Sequence, residues 1–99
     1  MSFLTTIPAA LTAASGDLAG IGSVMAAQNA ATAGPTTGVL PPAADVVSAL
    51  IATQFTAHAQ LYQAVATMAG EVHHLLVSTL ALDAGSYAAT EAANLATLG

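Results

Sequence analysis

No proline interrupts residues 43 to about 83, and over this stretch apolar side chains recur with the period of an α-helix. They fall on two adjacent stripes rather than one. The first holds Val47, Leu50, Gln54, Ala57, Leu61, Ala64 and Met68, then continues one residue out of step as Val72, Leu75 and Leu82; the second holds Ile51, Phe55, His58, Tyr62, Val65, Ala69, Val72, Leu76 and Leu80. Such a surface is broader than the a/d seam of a two-stranded contact. A chain that offers only one further helix can cover one stripe, so the other is expected to meet a different protein. The lone chain is accordingly expected to self-associate or to stay in solution only transiently.

The further helix is expected over residues 8 to about 33. Leu4, Ile7, Leu11, Ala14, Leu18, Ile21, Met25 and Gln28 keep a three-four spacing that makes a narrow seam, with Ala14 small enough to let a neighbouring backbone approach. Pro8 suits the first helical position, leaving Met1 to Ile7 as an extended arm. Gly16, Gly20 and Gly22 each cost up to ~1 kcal/mol against Ala in a helix, and small residues at a helix crossing account for them. Gly34 followed by Pro35 marks the exit. Residues 34–42 then form a stiff connection of a length that suits an antiparallel turn between two helices. Asp45 sits in the first turn of the second helix, at the positive end of its dipole. After Asp83-Ala-Gly85 the pattern weakens into a tail over 84–99, in which Ser86 can cap a short helix from Tyr87 to about Ala96.

Composition narrows the function. The 99 residues include no Lys or Arg, and the formal charge is −5. Without cations the chain cannot neutralise phosphates, so nucleic acids and anionic lipid surfaces are poor partners. The 56% hydrophobic content excludes a disordered acidic tail. Residues 46–70 carry no formal charge and are long enough to cross a bilayer, but Gln54, His58, Gln60 and Gln63 stand in their middle and no basic residue flanks them. Met1 to Leu11 offer no basic stretch of the kind that opens a secretory signal peptide, so export by the general route is not expected. Cysteine is absent, which removes disulfides and thiol chemistry.

Catalytic and metal-binding patterns are weak. His73 and His74 are adjacent and diverge by about 100° on a helix, so they cannot share one ion, and His58 lies about four turns away. One histidine at a helix interface and one in solvent is the expected arrangement. Ser15, Ser23, Ser48, Ser78 and Ser86 fall in helical pattern or at caps, not in the strained Gly-x-Ser-x-Gly turn of a hydrolase. The glycines of the first helix follow no strand, so they make no nucleotide fingerprint. No enzyme activity, cofactor, metal or small-molecule substrate is expected. The remaining feature is Tyr87-Ala-Ala-Thr-Glu91, whose phenol and carboxylate share a helix face at i and i+4, where a receptor could read both.

Several segments together carry a family resemblance. Met1-Ser-Phe-Leu with Pro8, Ile21-Gly-Ser with Met25 and Gln28-Asn-Ala30, Gly34-Pro-Thr-Thr-Gly-Val with Pro41-Pro-Ala-Ala-Asp45, and Ser86-Tyr-Ala-Ala-Thr-Glu-Ala-Ala-Asn94 resemble the mycobacterial PE family across the whole chain. One departure is that Pro8 is followed by Ala9, where the family has Glu. The resemblance implies an all-α fold: an antiparallel two-helix hairpin that completes a four-helix bundle with a PPE family protein. It further implies export of the folded pair by the type VII secretion machinery, with an EspG-type cytosolic chaperone acting indirectly through the partner. Tyr87 and Glu91 match the family's Tyr-x-x-x-Asp/Glu secretion motif. A Trp-x-Gly element near that motif would have to come from the partner, since this chain has no Trp.

The expectation is therefore a non-enzymatic heterodimer subunit, cytoplasmic before export and then secreted or held at the cell surface or envelope. Leu11, Leu18, Ile21, Met25, Leu50, Phe55, Leu61, Tyr62, Met68, Leu75 and Leu76 are the expected partner interface. Rival readings are an envelope component that aids solute passage or host interaction, a homodimeric bundle, and the leading domain of a longer PE protein.

Overall fold

The computed structural model describes residues 5–98, which form two α-helices, α1 over Pro8–Thr37 and α2 over Val46–Leu98. Among the described residues there is no strand, so the all-α expectation holds. Of the expected N-terminal arm, residues 5–7 are non-helical, while Met1 to Leu4, including the seam position Leu4, lie outside the described residues.

Pro8 begins α1 as expected. The Ile7 carbonyl accepts the N–H groups of Ala10 at 3.0 Å and Leu11 at 3.3 Å, and Pro8 has no N–H to leave unsatisfied. The exit differs from expectation. α1 continues through Gly34 and Pro35 to Thr37 because no glycine among the described residues takes the left-handed conformation that would turn the chain out of the helix. Pro35 removes one N–H from the ladder. Hydroxyls serve neighbouring carbonyls instead: Thr36 donates to Thr32 O and Thr37 to Ala33 O, each at 2.6 Å, and Gly38 N–H donates to Gly34 O at 3.0 Å.

The second helix starts later than residue 43, because Asp45 caps it rather than lying in its first turn. Its Oδ1 accepts the Ser48 N–H at 2.7 Å, its Oδ2 accepts the Ser48 hydroxyl at 3.0 Å, and its carbonyl accepts the Ala49 N–H at 3.1 Å. The Ser48 N–H, followed by its hydroxyl, holds the carboxyl below its ordinary pKa. At the other end, the expected break at residues 83–85 is absent. Gly85 keeps a right-handed φ, and a lone glycine costing ~1 kcal/mol leaves the ladder intact, so Ser86 lies inside the helix instead of capping a new one.

Contacts divide the chain into two units. In the unit formed by residues up to Gly22 and from His73 onward, the helices run antiparallel, and the covered positions are Leu11, Ser15, Leu18 and Gly22 facing His73, Val77, Leu80 and Ala84. In the unit Ser23–Val72, they are Asn29, Ala33 and Thr37 on α1, with Ala52, Thr56, Ala59, Gln63 and Ala66 on α2. These α2 positions keep a three-four spacing of their own. They form a third stripe, so the expectation that α1 would cover one of the two broad apolar stripes is wrong. In this unit small side chains admit the neighbouring backbone and polar ones bond across to it, while the other unit also packs Leu11, Leu18 and Leu80 into its seam. The seam on α1 is displaced in the same sense: Leu11 and Leu18 stay, but Ser15, Gly22 and Asn29 replace Ala14, Ile21 and Gln28.

Candidate functional site

Polar rungs fasten the helices within each unit. In the first, the Ser15 hydroxyl, 6% exposed, donates to the Val77 carbonyl at 3.0 Å. His73 Nε2 lies 2.6 Å from the Leu18 carbonyl, which can only accept, so Nε2 carries the proton. The ring fills a notch left by Gly22, where a Cβ would sit 2.7 Å from His73 Cδ2 and 2.8 Å from Nε2. Gly16 and Gly20 face open space, so a role at a helix crossing belongs to Gly22 and not to them. His74 is exposed, which gives the expected pair of one interfacial and one solvated histidine. In the other unit, Asn29 takes both bonds: the Tyr62 hydroxyl donates to its Oδ1 at 2.8 Å and Gln63 Nε2 donates to its carbonyl at 3.1 Å.

The apolar bulk points the other way. The buried apolar residues among those described are Ala52, Ala59 and Ala84, all small. In the unit Ser23–Val72, Met25, Leu50, Phe55, Leu61, Tyr62 and Met68 are exposed; in the other, Ile21, Leu75 and Leu76 are exposed while Leu11 and Leu18 are half-buried. Phe55 exposes 62% of its surface and lines an open groove of about 500 Å³ with Leu50, Ile51, Gln54 and His58. The accessible surface is 7356 Å². The exposed large apolar side chains named above make a surface suited to burial against another molecule.

Tyr87 and Glu91 lie one turn apart in α2, both exposed. Glu91 is not free-standing: the Thr6 hydroxyl donates to its Oε1 at 3.2 Å, joining the segment before α1 to the tail. Sequence reasoning missed Thr6, because nothing in local spacing pairs residues so far apart in the chain. It also missed Ser15, Asn29 and Gln63 as rungs. The signal was available in the repeat of small and polar residues from Ala52 to Ala66, but stripes anchored on Leu, Phe and Met run beside that repeat and not along it. No three His, Cys, Asp or Glu residues among those described gather as metal ligands.

Comparison with known proteins places this arrangement. Residues 4–94 match the model of the PE family. The chain is 55% identical over 96 residues to PE family protein PE13 of Mycobacterium tuberculosis (strain ATCC 25618 / H37Rv), covering 97% of each. It is 55% identical over 98 residues to PE-PGRS family protein PE_PGRS33 of M. tuberculosis (strain CDC 1551 / Oshkosh), spanning 99% of this chain and 21% of that protein. With PE family protein PE8 of the H37Rv strain the identity is 52% over 94 residues, spanning 95% of this chain and 34% of that protein. The same unit thus makes up nearly all of one relative and a minor part of others. Two helices joined by a short connection, a family model covering almost every residue and relatives at half identity or better lead to one conclusion: this chain belongs to the PE family.

Proposed function

We propose that the chain is a non-enzymatic subunit that pairs with a PPE family protein, its two helices laid against two of the partner's as a four-helix bundle. The observation that carries this reading is the inversion on α2. In the unit Ser23–Val72 small and polar residues face α1, and along α2 Leu50, Phe55, Leu61, Met68 and Leu75, each more than half exposed, face outward. Burying such side chains gives about 1.5–3 kcal/mol each, and α1 does not provide that burial. Membership of the PE family supports a PPE family protein as that partner. Export by a type VII secretion system follows in the same reading, with Tyr87 and Glu91 as this chain's part of the signal. An EspG-type chaperone would act on the partner before the pair leaves the cytoplasm for the cell surface or medium.

Co-expression with candidate PPE proteins tests the pairing: a stable one-to-one complex is expected. Tyr87→Ala should leave that complex intact and stop its secretion. Export of Tyr87→Ala at the wild-type level would remove the signal assignment, and a well-behaved monomer with no dye-binding apolar flank would remove the pairing. A second reading, an envelope-associated component, is favoured by one observation: both helices are long and apolar enough to cross a membrane. Solubility of the purified complex without detergent counts against it.

A further inference from the structure

We infer that Thr6 is a positioning residue for the Glu91 carboxylate, so that the export signal consists of two segments, the residues just before α1 and the tail of α2. This rests on the reading of Tyr87 and Glu91 given above. The chain has no Lys or Arg, so a carboxylate in it can be held only by hydroxyls, amides, ring N–H groups or the amino terminus. Glu91 is held by the hydroxyl of Thr6, at 3.2 Å. Ile7 caps α1 and Pro8 fixes the first helical φ, so the backbone immediately after Thr6 is set by the helix start. A glutamate on an exposed helix samples several rotamers, and a receptor must stop that motion when it binds. The bond to Oε1 fixes the carboxylate beforehand, one turn from the Tyr87 phenol. A carboxylate offers acceptors, so the receptor reads it through donors, of which an Arg or Lys makes the strongest pair.

The test is secretion of the heterodimer carrying Thr6→Val, which keeps the shape and removes the donor, beside Thr6→Ser, which restores it. Expected is a drop of about threefold to tenfold in the secreted fraction for Thr6→Val, the scale of one side chain left to be ordered on binding. Recovery is expected with Thr6→Ser. Cytosolic heterodimer should co-purify at the wild-type level in both. Thr6→Val should add nothing in a Glu91→Ala background, which removes the acceptor, a result that a purely structural role for Thr6 would not give. Wild-type secretion of Thr6→Val while Tyr87→Ala is blocked would overturn the role of Thr6 and leave the tail reading standing. An equal drop from Thr6→Val with and without Glu91→Ala would also overturn it, since the effect would not pass through Glu91. If Tyr87→Ala and Glu91→Gln both secrete normally, the tail reading fails and this inference with it.

Discussion

Within each unit, the face that α2 turns to α1 and the faces it turns to solvent are built on opposite principles. The inner face uses Ala52, Thr56, Ala59, Gln63 and Ala66 in one unit and His73, Val77, Leu80 and Ala84 in the other. It gains little apolar burial and relies on close approach and on hydrogen bonds to backbone carbonyls. The outer faces carry the large apolar side chains, Leu50, Phe55, Leu61 and Leu75 among them, and nothing among the described residues covers them. A hairpin so made holds its own helices by fit and leaves its larger apolar side chains exposed. Where the two kinds of face were exchanged, the chain would fold back on itself and leave little surface to recognise.

The largest test of this contrast is Phe55→Asp. The charge is harmless on the exposed face of the free chain but becomes unpaired once covered, costing roughly 3 kcal/mol or more, over a hundredfold in affinity. Loss of co-purification with the partner, with helix content of the free chain unchanged, is expected. Next is Gly22→Ala on the inner face. The new Cβ displaces the His73 ring from its notch and from the Leu18 carbonyl, for a net loss of about 1–2 kcal/mol in thermal melting after allowing for better helix propensity. Gly20→Ala, facing open space, should have the opposite sign and stabilise by up to ~1 kcal/mol. If both glycine variants melt alike, the notch is not what fixes the helices together.

Ser15→Ala comes third. Removing the hydroxyl that reaches Val77 should lower stability by about 1 kcal/mol, read by the same melting measurement. The smallest effect concerns pH. The Asp45 carboxyl titrates below its ordinary value in the folded chain, so the unfolded state binds the proton first as pH falls. The cap's contribution is fully present above the ordinary aspartate range and is lost as pH drops through the lowered folded value. Asp45→Asn, which caps without titrating, should flatten that part of the melting-against-pH curve.

Much of the fold could be read from the residues. Pro8 marks the start of α1, and the three-four recurrence of large apolar residues identifies two long helices. The two misplaced helix ends have a common cause. Gly34-Pro35 and Asp83-Ala-Gly85 look like stops, but a stop needs a left-handed residue, and propensity alone cannot say that Gly34 and Gly85 will decline that conformation. Threonine hydroxyls at 36 and 37 then keep the end of α1 wound. The choice of the inner face was misread because hydropathy ranks Leu above Ala, while close approach between helices ranks them the other way. Tyr87 and Glu91 were legible from their spacing; Thr6 was not, since only the folded chain brings it to Glu91.

The rungs at Ser15, His73 and Asn29 join hydroxyls, an imidazole N–H and an amide to carbonyl oxygens, and no fixed ion pair is among them. Dissolved electrolyte therefore has little to screen between α1 and α2, and concentrated brine should tighten rather than loosen their grip through the apolar contribution. A clasp made this way is not weakened by a rise in ionic strength.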